Sequence, residues 1–403
     1  MLSVDETGAL VAARLTPVEG IETVSLHEAD GRVLASDVIA PLPLPPFTNS
    51  AVDGYAVAGR DVPQTDEAIV AVVDRITAGS RGKRLQEGTA TRIFTGAPMP
   101  EGADTVFMQE DVRSLADGRI ALPAGLKRGA NVRPAGEDVA DGALALTAGL
   151  RLRPQDVALD AALGYATLPV RARVRVAIFS TGDEIVEPGT TRAPAQLHDS
   201  NRFMLAAMAR RLGALVTDLG ILPDDPDRIA ETLRTAAGNC DLILTSGGVS
   251  TGEADHVRSS VERIGSLVFW RVAIKPGRPV AMGVVAGIPF IGLPGNPVAS
   301  FVTFAMIARP AIVALSGAHP EALRRIEVRA AFRYKKKAGR REFVRVGLTR
   351  GTDGVLAAAK FPREGAGLLS SLVETDGLVE LSEDTLAIEP GTMVSFLPYA
   401  SLI

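Results

Sequence analysis

The 403-residue chain carries a single cysteine, Cys240, one tryptophan, and only 4% aromatic residues. One thiol excludes an intramolecular disulfide and any cysteine-cluster metal centre. Just before the apolar run Leu242 to Leu244, Cys240 reads as a packed, inert side chain. Histidine is also scarce, with four residues: His27, His198, His256 and His319 have neither metal-ligand spacing nor a nucleophile motif around them, which argues against a hydrolytic triad. Net charge is -4 and pI about 5.8, so the composition supplies no basic footprint for nucleic acid or an acidic membrane. Any anionic ligand must be met by local cations. No apolar run is expected to approach the roughly 18 residues needed to span a bilayer, and the start lacks the basic and apolar regions of a secretion signal. The expectation is a soluble, cytoplasmic protein with no nucleic-acid and no membrane partner. No fixed-period repeat appears, and KKKAGRR is too short for a low-complexity tail.

What the chain does have is glycine and proline, 40 and 26 residues, which predict many turns and short elements. Its length suits two to four domains. Apolar recurrence at Val4, Val11 and Leu15, stopped by Pro17, predicts an N-terminal helix. From 41 to 142 short β-like runs broken by Gly and Pro predict a β-rich domain. A helix beginning near Pro154 then suggests a return to the first domain. The expected division is 1–40 with 143–172, an insertion at 41–142, an α/β domain at 173–318, and an all-β domain at 319–403. In the α/β part, VRVAIFST, LVTDLGIL, DLILTSGG, FWRVAI, VAMGVV and PFIGLPG read as strands alternating with amphipathic helices. That pattern predicts a largely parallel sheet whose ligands gather at the carboxyl ends of its strands.

The chemistry-bearing motifs fall at such ends. STGDE places Asp183 and Glu184 where two carboxylates can meet a metal or a ring edge, or simply form a polar turn. HDSNRF offers Asp199 and Ser200 as helix caps and puts Asn201 at the helix mouth. In TSGGVSTGEADHV, Gly247 and Gly248 let the backbone approach an anion while Ser246, Ser250 and Thr251 add hydroxyls. Glu253 and Asp255 beside them suit Mg²⁺, which accompanies phosphoryl groups and takes oxygen ligands; no Gly-Lys-Ser/Thr follows, so this is not a P-loop. KPGRPV presents Lys275 and Arg278 on a proline-stiffened turn, a candidate oxyanion site. GLPGNPV ends a strand at Pro294 and Gly295, then sets Asn296 at an N-cap and Pro297 in the first helical turn. Asn49, Ser50, Asp53, Thr95, Arg133, Glu137 and Asp138 cluster among the turns of the β-rich segment, and Arg341, Arg345, Ser370 and Ser371 stand out in the last domain.

In this order PPFTNSAVDGYAV, TGAPMPEGAD, RPAGEDV, STGDE, DSN, TSGGVSTGEADHV, KPGRPV and GLPGNPV closely resemble the MoeA family of molybdopterin molybdenumtransferases, related to the E domain of gephyrin, over residues 1 to 400. The resemblance implies a multidomain α/β plus β chain: a central three-layer molybdopterin-binding domain, an inserted β-rich domain and a small C-terminal β-barrel-like domain. It implies insertion of molybdate into adenylylated molybdopterin with Mg²⁺-dependent release of AMP. By motif, Gly247, Gly248, Ser250, Asn201, Pro294, Asn296 and Pro297 would bind the pterin nucleotide, with Asp183, and Glu184, Asp225 and Asp255 would serve as metal-associated acids. Lys275, Arg278, Arg345 and Ser370 match the positions where the family gathers molybdate. Arg278 stands where the family has a second lysine, and Ser371 where it has methionine. Asp53, Thr95 and Asp138 would reach the site across a homodimer, making the cleft composite, and transient contact with the adenylyltransferase is implied as well. The alternatives are the adenylyltransferase itself, whose α/β domain is similar but lacks both β domains, and a non-catalytic scaffold, which would not need the acids and cations retained here.

Overall fold

The computed structural model describes residues 2–248, 256–351 and 353–403. The chain forms two compact units. One consists of Ser36–Ala148 with Arg153–Leu168, and the other of the N-terminal stretch to Ala35, Gly149–Leu152 and Pro169–Ile403.

The first of these is built on a six-stranded sheet. Its strands are β1 (Gly54–Val57), β2 (Ala68–Ile76), β3 (Thr89–Ile93), β4 (Thr105–Met108), β5 (Arg113–Ser114) and β6 (Arg119–Leu122), in the order β4-β1-β3-β2-β6-β5. Strand β2 alternates exposed positions with buried or half-buried ones, as a sheet with one wet face requires. Pro154 occupies the first turn of helix α2 (Pro154–Ala162), where its missing N–H costs nothing. Helix α1 (Val4–Arg14), in the other unit, opens with a capping box in which Ser3 accepts from the Glu6 N–H and the Glu6 carboxylate accepts from Ser3.

The larger unit holds a second six-stranded sheet: β7 (Arg175–Thr181), β8 (Leu215–Leu222), β9 (Leu242–Ser246), β10 (Gly265–Arg271), β12 (Pro279–Val285) and β13 (Ile288–Leu293), with the two-residue β11 (Ile274–Lys275) standing outside it. The order is β8-β7-β9-β13-β12-β10; the first three pairings are parallel and the last two antiparallel. The sheet is thus parallel over four strands, with an antiparallel hairpin at one edge. Ala286 and Gly287, both at positive φ (47° and 87°), make the two-residue turn that matches strand twist in such a hairpin. Helices α3 (Asn201–Arg211), α6 (Pro297–Thr303) and α7 (Arg309–Leu315) share a buried cluster with α1 on one face. Helices α4 (Pro226–Ala237) and α5 (His256–Ile264) pack on the other. This is the expected three-layer arrangement, and Phe290, Ile291, Leu244 and Ile178 are fully buried within it, each contributing roughly 2 kcal/mol by burial. Cys240 is buried, and burial followed by the neighbouring Asp241 pushes its thiol up to about 11.

Two expectations change here. The run FWRVAI is not one strand: β10 ends at Arg271, where the Val272 N–H donates to Arg278 O and the Ala273 N–H to Leu2 O, turning the backbone out of the sheet. Pro297–Leu315 is long and apolar enough to cross a membrane by length and composition, contrary to the reading that no run approaches that length. It is a buried core helix, interrupted by a π-turn at Phe304–Ala308.

The C-terminal strands are β14 (Ile326–Ala330), β15 (Arg341–Arg350), β16 (Leu356–Lys360), β17 (Gly377–Leu381) and β18 (Met393–Pro398). They run in the order β15-β16-β14-β18-β17, and β17 pairs back to β15, which closes a five-stranded barrel. Strand β11 adds to it in parallel, with Lys275 opposite Glu342.

Candidate active site

Chain order reverses around β7: the next strand, β8, lies on one side of it and β9 on the other, so the switch point of the sheet lies between β7 and β9. A cleft of 850 Å³ opens there. The loop after β7 supplies Gly182 and Glu184, and the loop after β9 supplies Gly247 and Gly248. Both loop glycines are required by shape. Gly247 has φ +96° and a Cβ there would lie 2.9 Å from Thr181 O; Gly248 has φ +64° and a Cβ would meet Val257 Cγ2 at 2.3 Å. The Gly247 N–H is taken by Leu293 O at 3.0 Å, so this residue offers close backbone approach rather than a free donor.

Asn201, Ser246, Pro294, Gly295, Asn296 and Pro297 line the same cleft. The buried Asn201 donates from Nδ2 to Ser246 Oγ at 2.8 Å and to Gly295 O at 2.6 Å, tying the three strand-end loops together, while its Oδ1 has no partner. Asn296 takes the N-cap position with extended backbone and no side-chain cap, which leaves its amide facing the cleft rather than engaged with its own helix. Asp199 is bound by Arg202, which Glu187 and Asp218 also hold, so this acid orders the rim.

The acids sort themselves by partner. Glu184 lines the cleft and, among the described residues, its carboxylate has no hydrogen bond or ion pair. Asp183 is exposed and does not line it. Asp225 is the N-cap of α4, accepting from the N–H groups of Asp227 (2.9 Å) and Arg228 (3.3 Å). Its neighbour Asp224, bonded by Thr181 Oγ1, is the one that reaches the cleft. Ser250 and Asp255, with Glu253, lie outside the described residues. Among the described residues no cluster of three potential ligands forms a closed metal site. Glu184, unpartnered among the described residues, and Asp224, held by Thr181, stand beside a glycine loop and fit the one or two carboxylates that Mg²⁺ uses when substrate phosphates complete its shell.

A second cavity of 420 Å³ adjoins the cleft, sharing Pro279, Pro294 and Asn296 with it. Its walls carry Lys275, Arg340, Arg345, Lys360 and Arg363 against one lining acid, Glu364, an arrangement suited to a small oxyanion. Lys275 donates to Glu342 Oε2 at 2.9 Å and to Tyr334 Oη at 3.1 Å. Burial works against its ammonium, but these two hydrogen bonds outweigh it and hold the pKa above the ordinary lysine value. Arg345 donates to Gly365 O and to Ser371 Oγ, each at 2.8 Å. Ser371 is therefore the buried partner of Arg345, and Ser370 is exposed. Arg278 is exposed and lines neither cavity.

Asp53, Thr95 and Asp138 belong to the other unit. Thr95 donates to Asp53 Oδ1 from its N–H and its hydroxyl, both at 2.8 Å, and those bonds lower the Asp53 pKa. Sequence reasoning missed Tyr334, Arg340, Glu342, Lys360 and Arg363. Only the basic run KKKAGRR hinted at one of them.

Three family models together match most of the chain: MoeA N-terminal region (domain I and II) over residues 2–164, probable molybdopterin binding domain over 177–314, and MoeA C-terminal region (domain IV) over 327–399. A molybdopterin molybdenumtransferase of Haemophilus influenzae is 35% identical, with 100% of both chains covered. Molybdopterin molybdenumtransferase 2 of Mycobacterium tuberculosis is 38% identical over 98% of each. Among solved structures, the molybdopterin biosynthesis moeA protein of Pyrococcus horikoshii OT3 superposes with a TM-score of 0.85 at 30% identity, covering 99% of this chain and 100% of that one.

Proposed function

Because this chain belongs to the MoeA family, we propose that it inserts molybdate into adenylylated molybdopterin, releasing AMP and forming molybdenum cofactor. The observation that carries the reading is the pairing, within one unit, of a strand-end cleft with a smaller cation-walled cavity that opens beside it. The larger cleft has the size and the polar, glycine-lined floor for a nucleotide-pterin. The smaller one suits a tetrahedral dianion.

In this reading Gly247 and Gly248 admit the phosphates against the backbone, Asn201 holds the three loops in register, and Asn296 presents its amide to the nucleotide. Lys275 and Arg345 receive molybdate, joined by Arg278 if it swings inward, with Ser371 in the role first given to Ser370. A molybdate dianion beside a pyrophosphate linkage is strongly repelled, and the cations of the small cavity offset that repulsion. Glu184 with Asp224, and Asp255 beyond the described residues, would hold Mg²⁺, which supplies charge neutralisation at the phosphates. The remaining carboxylate oxygens orient water or a molybdate oxygen toward phosphorus. The homodimer belongs to the same reading: Asp53, Thr95 and Asp138 would complete the cleft of a partner subunit. So do the four-domain division, the cytoplasmic location and transient contact with the adenylyltransferase. The test is to incubate purified protein with adenylylated molybdopterin, molybdate and Mg²⁺ and to measure AMP and cofactor. Adenylylation of molybdopterin from ATP would instead indicate the adenylyltransferase.

A further inference from the structure

Glu342 sits on β15 with 1% of its surface exposed. A buried carboxylate is costly unless paired, and an apolar residue would pack the barrel wall at least as well. Its partners converge on the oxyanion cavity. Oε2 accepts from Lys275 Nζ at 2.9 Å and from Tyr334 Oη at 2.8 Å, and Oε1 accepts from Arg340 Nη2 at 3.4 Å. The Tyr334 hydroxyl is in turn an acceptor for Lys275 Nζ at 3.1 Å, closing a three-membered ring of hydrogen bonds. Two ammonium groups lie over the Tyr334 ring, Lys275 Nζ at 5.6 Å and Lys360 Nζ at 5.9 Å from its centroid. Parallel pairing of β11 with β15 places Lys275 directly opposite Glu342, so the contact is fixed by backbone register as well as by charge.

We propose that Tyr334 and Glu342 are positioning residues which hold the Lys275 ammonium, and through the Tyr334 ring that of Lys360, at the wall of the oxyanion cavity before the anion arrives. The inference rests on the molybdate reading of that cavity. A free lysine loses much rotamer freedom when an anion orders it; a lysine already clamped between a carboxylate and a phenol does not. The two possible effects of Glu342 have opposite signs. If the carboxylate acts only through its field, it opposes anion binding, and neutralising it tightens the site. If it positions Lys275, neutralising it loosens the site although the cavity becomes more positive. Glu364, which pairs with Lys360 at 2.8 Å on the exposed rim, is the internal anion that an incoming oxyanion would displace.

The experiment compares the full-length protein with its Glu342→Gln and Tyr334→Phe variants, measuring KM for molybdate, KM for adenylylated molybdopterin, kcat and thermal unfolding. Expected in both variants is a rise of about tenfold in KM for molybdate, with KM for the pterin nucleotide within about twofold and kcat little changed. The alkaline limb of the molybdate dependence should also move to lower pH in Glu342→Gln, because the ammonium loses the carboxylate that keeps it charged. Tyr334→Phe keeps the ring and the barrel packing, so it carries the test if Glu342→Gln fails to fold. Unchanged or tighter molybdate use in a folded variant overturns the positioning role while leaving the molybdate reading intact. A wild-type protein that makes no cofactor from molybdate overturns both.

Discussion

Replacing Asp160 by Asn isolates one buried charge. Asp160 lies on α2 with 0% of its surface exposed, and neither carboxylate oxygen has a hydrogen-bond partner. Burial, assisted by the nearby Asp156, raises its pKa from 3.8 to about 6. Asp156 itself is held ionised by Arg153 at 2.8 Å. A folded-state pKa above the unfolded value means that the folded chain binds the extra proton. The contribution of Asp160 to stability is therefore fully present below about pH 4, is lost as pH rises through the window from about 4 to 6, and is gone above that. A shift of about two units is worth at most about 3 kcal/mol. Asn has nearly the same shape and no charge, so Asp160→Asn should unfold with a free energy about 2–3 kcal/mol higher than wild type at pH 7.5 and about equal to it near pH 4. Denaturant or thermal unfolding of both proteins across that range reads the difference directly. Parallel pH curves, or a variant less stable than wild type at pH 7.5, would refute the reasoning.

Gly248→Ala should abolish binding of adenylylated molybdopterin, because its Cβ would fall 2.3 Å from Val257 Cγ2 and 2.8 Å from Thr181 Cγ2 at a φ of +64°; titration of the nucleotide-pterin checks this. Lys275→Ala should stop cofactor formation while the fold persists, with AMP release falling in step; full AMP release would break the proposed role of the cation. Asp255→Ala is expected to behave in the same way, and its rescue by raised Mg²⁺ can be assayed directly. Glu184→Gln should raise the Mg²⁺ concentration needed for half-maximal activity, whereas Asp225→Ala should cost about 1 kcal/mol of stability through the lost helix cap, with activity retained once the protein is folded.

Much of the fold was legible because its signals are contiguous. Alternating apolar runs and amphipathic segments announced the α/β sheet, and the glycine and acid motifs at strand ends marked the cleft because a strand-end loop is a single stretch of sequence. The barrel was also legible as a run of strands, but its contribution to the cavity was not. Lys360 reaches the strand of Glu342 only when β16 pairs with β15, and Lys275 reaches Glu342 only when β11 joins the barrel, and no spacing in the sequence encodes those pairings. FWRVAI misled for a related reason: its apolar run is continuous, while its hydrogen bonds divide between two sheets. The adjacent pair Asp224 and Asp225 shows the limit of motif reading at single-residue resolution. One faces the cleft and the other caps a helix, because a helix N-terminus needs an acceptor at that position.

The central claim is tested most directly by single-turnover incubation of the purified protein with adenylylated molybdopterin and Mg²⁺, with and without molybdate, following AMP and molybdenum cofactor together. The account predicts that both products appear in equal amounts and that cofactor formation is lost without molybdate. No AMP and no cofactor from adenylylated molybdopterin in the presence of molybdate and Mg²⁺ would contradict it.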